Sequence, residues 1–116
     1  MPNRGEVWLA DLNPLHGTEP GKQRPVLVVQ AQALLEAGHP STLIIPLTTR
    51  VVADAEPLRI HVPAAAGLRY ESDPLIDQLR AIHNRRLVHG PLTRLSPSLM
   101  REGAEAIREV LDLQQD

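Results

Sequence analysis

Residues 5–25 read GEVWLADLNPLHGTEPGKQRP, and this stretch sets up everything that follows it. Glu6 to Leu12 alternates with the period of a strand: Val7, Leu9 and Asp11 fall on one face, Trp8, Ala10 and Leu12 on the other. The chain then runs into a loop holding Pro14, Gly17, Glu19, Pro20, Gly21 and Lys22. A second strand opens at Arg24-Pro25 and continues as an unbroken apolar run to Gln30, the pattern of a buried strand. Compact domains rarely spend so many residues on one connection unless it binds or catalyses something. The search for function therefore starts at this loop and at the cation that ends it.

Further along, Ala31 to Ala37 is rich in Ala and Leu and stops at Gly38, which predicts a short helical turn. Thr42 to Leu47 predicts a β-branched strand interrupted by Pro46, and Leu58 to Val62 a half-buried one. Leu75 to Ile82 reads as a longer strand, with Asp77 and Leu79 on one face and Gln78 and Arg80 on the other. A short strand is expected at Leu87 to His89. Ser96-Pro97 is a helix opening, a serine cap before proline at the first helical position. Leu99, Met100, Ala104, Ile107, Val110 and Leu111 then recur at helical spacing, predicting an amphipathic helix over 97–113 that lies on the sheet. Several short strands and one terminal helix imply a small α+β fold, mainly β: a strongly bent antiparallel barrel with short helical turns.

With 116 residues there is room for one domain, 1–116, and one core. Aromatics make up only 2% and Phe is absent, so that core must be aliphatic. Cysteine is absent too, which excludes disulfides and thiolate metal sites and fits a cytoplasmic protein. No apolar run is long enough to span a membrane, and the first residues lack a signal-peptide pattern. The net charge of −2 gives no overall basic field. Its distribution is uneven, however. Leu75 to Arg101 holds Arg80, Arg85, Arg86, Arg94 and Arg101 against Asp77 alone, whereas Glu102 to Asp116 carries five acids against Arg108. A basic face opposed to an acidic one is one reading of this, and a mixed solvated surface is another.

Arg24 is the first candidate for chemistry. Proline after it fixes the root of a guanidinium whose fork of donors suits a phosphate, although a salt bridge to Glu19 would also explain it. Thr48 and Thr49 close a strand where a hydroxyl could reach a phosphate oxygen, or simply serve β-propensity. Arg80 could meet a phosphate or pair with Asp77. The five histidines lie in five separate segments without zinc-ligand spacing, and neither a phosphate-binding loop nor a nucleophile motif occurs. No metal or cofactor is expected.

Four segments in one order carry a resemblance. RGEVWLADLNP (Arg4–Pro14), GTEPGKQRPVLVV (Gly17–Val29), IPLTT (Ile45–Thr49) and IDQLRAIHNRRL (Ile76–Leu87), with a terminal helix at Ser96–Leu113, resemble the MazF/PemK family of bacterial toxin endoribonucleases. The resemblance implies an SH3-like barrel that forms homodimers and cleaves single-stranded RNA without metal. In such enzymes the RNA 2′-hydroxyl attacks its own 3′-phosphate, leaving a cyclic phosphate and a free 5′-hydroxyl. Carried onto this chain, Arg24 and Thr48 match the family's catalytic arginine and threonine, and Glu19 matches a loop carboxylate, here assigned as general base. Asp77 and Gln78 match an acid–Gln pair near the site. RNA contacts are expected from Thr18, Lys22, Gln23, Thr49, Arg50, Asp77, Gln78, Arg80 and Arg86. Leu75 and Thr18 stand where some members carry an arginine and a histidine. The implied partner is an antitoxin with an acidic disordered segment. A gyrase-poisoning toxin of the CcdB type is the alternative, but those depend on an aromatic-containing tail and no aromatic follows Tyr70 here.

Overall fold

The computed structural model describes residues 1–12 and 23–113. Six strands and two helices occur among them: β1 (Glu6–Asp11), β2 (Gln23–Val28), α1 (Gln32–Glu36), β3 (Ser41–Thr48), β4 (Asp73–Pro74), β5 (Arg80–His83), β6 (Leu87–Arg94) and α2 (Pro97–Val110). The sheet is antiparallel in the order β4-β3-β2-β1-β6, with β5 also pairing β3. Both of its faces are covered, which explains the continuous apolar runs. Val7, Leu27, Ile45 and Leu47 pack on one face with Ile60, Val62, Leu68 and Ala106. Ala10, Val26, Val28 and Ile44 pack on the other with Leu35, Ile82, Trp8, Leu12 and Leu87.

Ile82 of β5 and Leu87 at the start of β6 curl over that second cluster, giving the rolled shape expected of a small barrel. The roll stays open, since β5 and β6 share no ladder bonds and are joined only by a 3-10 turn, Asn84–Arg86. Pro46 lies inside β3 without breaking it. It sits where β3 changes partner, from β5 at Ile44↔Arg80 to β4 at Leu47↔Pro74, a place where its missing N–H deprives no ladder.

Three expected strands differ in the folded chain. Leu58–Val62 makes only isolated bridges, Arg59↔Leu75 and Val62↔Ser72. Leu75–Ile82 is broken by a 3-10 turn at Ile76–Gln78, where Ile76 is buried and its N–H donates to the Leu58 carbonyl at 2.8 Å. Asp77 and Gln78 are thus exposed turn residues, and the two strand faces assigned to Asp77–Arg80 do not exist. β6 runs on to Arg94, well past the Gly90-Pro91 at which a strand would be expected to stop. As an edge strand it tolerates proline, and a register shift between Val7↔Thr93 and Leu9↔His89 lets it arch over Trp8. Gly90 lies flat on the indole: a Cβ there would come within 2.4 Å of the ring.

The helical predictions hold in outline. α1 stops at Gly38, whose φ of 76° only glycine adopts freely. Ser96 caps α2, its hydroxyl accepting the Leu99 N–H at 3.1 Å. α2 packs Gly103, Ala106, Leu99, Met100, Ile107 and Val110 onto the core and ends at Val110 rather than 113, leaving Leu111 exposed. Neither described helix is long and apolar enough to cross a membrane.

Candidate functional site

Paired residues in β2 and β3 are Val26↔Pro46, Leu27↔Ile45 and Val28↔Ile44. Carried two residues further along both strands, that register sets Arg24 against Thr48. On its other side Arg24 pairs with Ala10 of β1. The backbone under the arginine is therefore held by β1, two residues beyond the last β3 pair, while its side chain is exposed. Arg24, Gln23, Thr48, Thr49 and Arg50 line one open cleft of about 500 Å³, floored by Pro25 and Leu47.

Thr48 is half-buried, and its Oγ1 accepts the Arg50 N–H at 3.2 Å. A hydroxyl has one proton to donate and two lone pairs. With one lone pair engaged by the main chain, the proton remains available to an oxygen in the cleft. Two guanidinium-bearing residues, two hydroxyls and no described carboxylate make the lining positive. Such a lining suits a phosphodiester.

The other expected site residues fall in different places. Arg86, in the second 3-10 turn, donates to the Asp11 carbonyl at 3.2 Å, and Asp11 pairs with Gln23, so this cation stands next to the start of β2. Arg80 begins β5 opposite Ile44, with Asp77 and Gln78 in the turn before it. None of these four lines the cleft, and Asp77 forms no ion pair with Arg80. Thr18, Glu19 and Lys22 lie outside the described residues. The expected basic face from 75–101 is spread over several elements: Arg94 ends β6 and Arg101 lies on α2. The acidic face is more compact, with Glu102, Glu105 and Glu109 of α2 sharing a shallow groove with Glu56.

Sequence reasoning missed a buried carboxylate beside the cleft. Asp73 pairs with Thr48 across β3 and β4 and is 2% exposed. Its Oδ2 accepts the Val52 N–H at 3.2 Å and lies 3.8 Å from Arg59 Nη1; its Oδ1 lies 3.2 Å from His61 Nδ1. The signal was the short polar run Glu71-Ser72-Asp73 before Pro74, too common in loops to be read. Among the described residues no group of three or more His, Asp or Glu side chains is arranged to hold a metal ion.

A larger hollow, about 820 Å³, lies between Gly5, Arg94 and the start of α2. Several of its polar groups are already engaged. Gln32 Oε1 accepts the Arg4 N–H at 2.8 Å, Gln32 Nε2 donates to Asn3 Oδ1 at 2.7 Å, and the Arg4 guanidinium donates to the Val29 carbonyl. Size alone does not mark a site, and it is the smaller cleft that brings together Arg24, Arg50, Thr48 and Thr49.

A rolled antiparallel sheet with a terminal helix carries a cationic, hydroxyl-bearing cleft where β2 begins and β3 ends. Residues 3–111 match the model of the PemK-like, MazF-like toxins of type II toxin-antitoxin systems, and the chain belongs to that family. It is 32% identical over 118 residues to the endoribonuclease MazF9 of Mycobacterium tuberculosis, covering 97% of this chain and 98% of that one. Among solved structures it is similar to the Mycobacterium tuberculosis toxin MazF-mt6, with a TM-score of 0.77 and 25% identity over 95% of this chain and 99% of that one. An endoribonuclease in complex with its cognate antitoxin, from a mycobacterial species, shares the fold at a TM-score of 0.74 and 20% identity, with both chains fully covered.

Proposed function

We infer that this endoribonuclease toxin cuts single-stranded RNA by in-line attack of the substrate's own 2′-hydroxyl on the adjacent phosphate. The products are a 2′,3′-cyclic phosphate and a 5′-hydroxyl, and no metal is needed because the nucleophile comes with the substrate. The observation that supports the reading is that Arg24 and Thr48 line one positive cleft. Arg24 stabilises the charge that grows on the phosphorane; Thr48 donates its free proton to a non-bridging oxygen or to the leaving group. Arginine holds its own proton too tightly to act as the base. That role falls to Glu19. Gln23, Thr49 and Arg50 hold the flanking nucleotides, with Thr18, Lys22, Asp77, Gln78, Arg80 and Arg86 as outer contacts.

The test is cleavage of a long single-stranded RNA by purified protein in excess EDTA, with the new ends mapped. Cyclic phosphate and 5′-hydroxyl ends are expected, and Arg24→Ala should lower the rate about 10²–10³-fold, the usual loss for one preorganised donor. An RNA with a 2′-deoxy sugar at the scissile position should survive. Intact RNA in the wild-type reaction, or full activity in Arg24→Ala, would sink the mechanism.

The protein works in the cytoplasm as a homodimer. A cognate antitoxin silences it by laying an acidic, initially disordered segment over the positive cleft. Such a peptide should compete with RNA and bind more weakly as salt rises. Competition that ignores salt would count against this mode. The family match gives no support to the gyrase-poisoning alternative.

A further inference from the structure

The buried carboxylate of Asp73 calls for an explanation. An ionised carboxylate removed from water is costly unless its oxygens are paired. All of the side-chain partners of Asp73 come from one segment, 52–61, which begins four residues after Thr48. The Val52 N–H and His61 Nδ1 each lie 3.2 Å from a carboxylate oxygen. The third partner, Arg59, reaches further. Its Nη1, 3.8 Å from Asp73 Oδ2, also donates to the Arg50 carbonyl. The N–H of the same Arg50 donates to Thr48 Oγ1 at 3.2 Å. A continuous path thus leads from the carboxylate through one guanidinium and one residue of main chain to the hydroxyl in the cleft. It closes on itself, since Asp73 is also the ladder partner of Thr48.

We propose that Asp73 is a positioning residue for the cleft, acting through Arg59 and the Arg50 main chain to fix the Thr48 hydroxyl. The proposal rests on the reading of Thr48 as the phosphate-facing hydroxyl. Its negative charge is the working part. Asparagine would keep an oxygen for the Val52 N–H but would lose the charge that holds Arg59. The Arg50 carbonyl would then be released and the Arg50 N–H would drift from Oγ1. A hydroxyl free to rotate spends only part of its time with its proton directed into the cleft, and misplacement of that order is felt in the chemical step more than in binding.

The experiment measures kcat and KM for RNA cleavage, together with Tm, in Asp73→Asn, Arg59→Gln, Thr48→Ala and the double variant Asp73→Asn/Thr48→Ala. Asp73→Asn is expected to lower kcat about 10–100-fold with KM within about twofold. Arg59→Gln should act in the same direction. Its side chain is 26% exposed, so it carries the test even if Asp73→Asn fails to fold. In the Thr48→Ala background the Asp73 substitution should change the rate by less than about twofold, because both act on one hydroxyl. Wild-type kcat in both Asp73→Asn and Arg59→Gln overturns the proposal, as does a loss that multiplies with that of Thr48→Ala. The reading beneath it fails differently. If wild type leaves RNA intact, or Thr48→Ala cleaves at full rate, the assignment of the hydroxyl falls and the role of Asp73 falls with it. Loss in Thr48→Ala with no loss in the other two variants overturns the role of Asp73 alone.

Discussion

Glu6 and Asp73 are the two buried carboxylates among the described residues, and their surroundings are unlike. Glu6 is satisfied locally: its carboxylate accepts the Asn3 N–H at 2.7 Å, the Asn3 side-chain amide, and the Trp8 indole N–H at 3.1 Å. Burial works to raise its pKa. Hydrogen bonds from the Asn3 main chain, the Trp8 indole and the Asn3 side chain, with the field of Arg94, nevertheless bring it below the ordinary 4.5. Asp73 is satisfied by Val52, Arg59 and His61, all distant in sequence, two of them basic side chains. One carboxylate fastens the start of β1 to itself, while the other ties the 52–61 segment to the sheet beside Thr48. A buried acid with close neutral partners is a folding device. Asp73 instead gathers basic side chains remote in sequence, next to the strand that carries Thr48 into the cleft.

The sharpest way to break this contrast is to neutralise each acid in turn. Asp73→Asn should lose kcat as above, whereas Glu6→Gln should keep wild-type kcat in the same RNA assay. Equal behaviour would reduce both to scaffolding. The next effect concerns the Glu6 end. Gly90→Ala drives a methyl into the Trp8 ring and pulls the indole from Glu6, so a loss of about 2 kcal/mol is expected in denaturant unfolding, with ring emission shifted. An unchanged midpoint would mean that β6 yields at no cost.

A smaller effect has a pH signature. With its folded pKa below 4.5, Glu6 contributes stability that is present above about pH 4.5 and is lost as pH falls through the folded value. Glu6→Gln should therefore cost about 1 kcal/mol at pH 7. The gap between the two proteins should narrow in acid; a gap that widens there would reverse the assignment. The smallest effect serves as a control. Ser96→Ala removes the α2 cap and should cost about 0.5–1 kcal/mol while leaving both carboxylates and kcat untouched.

How much of this was legible depended on the range of the interactions. Residues Glu6–Asp11, the core of Gln23–Gln30 and Ser41–Thr48 could be read because alternation and apolar runs report burial within a few residues. The Ser96 cap could be read because a helix start is a four-residue event. Leu58–Val62 and Leu75–Ile82 were misread because apolar alternation fits an extended chain whether or not a neighbour completes the ladder. Here the 59–62 segment is held by side chains on Asp73, and Ile76 turns inward beneath α2.

The sequence by itself determined an aliphatic core, strands on either side of a long loop, a capped terminal helix, and an arginine and a threonine able to meet a phosphate. Only the tertiary structure decided that β3 changes partners at Pro46, that the roll stays open between β5 and β6, and that Asp73 is buried behind Thr48. The physical reason is the same in each case. Local periodicity records which faces avoid water, whereas ladder partners and buried ion pairs are fixed by groups tens of residues away, whose meeting no short window of sequence encodes.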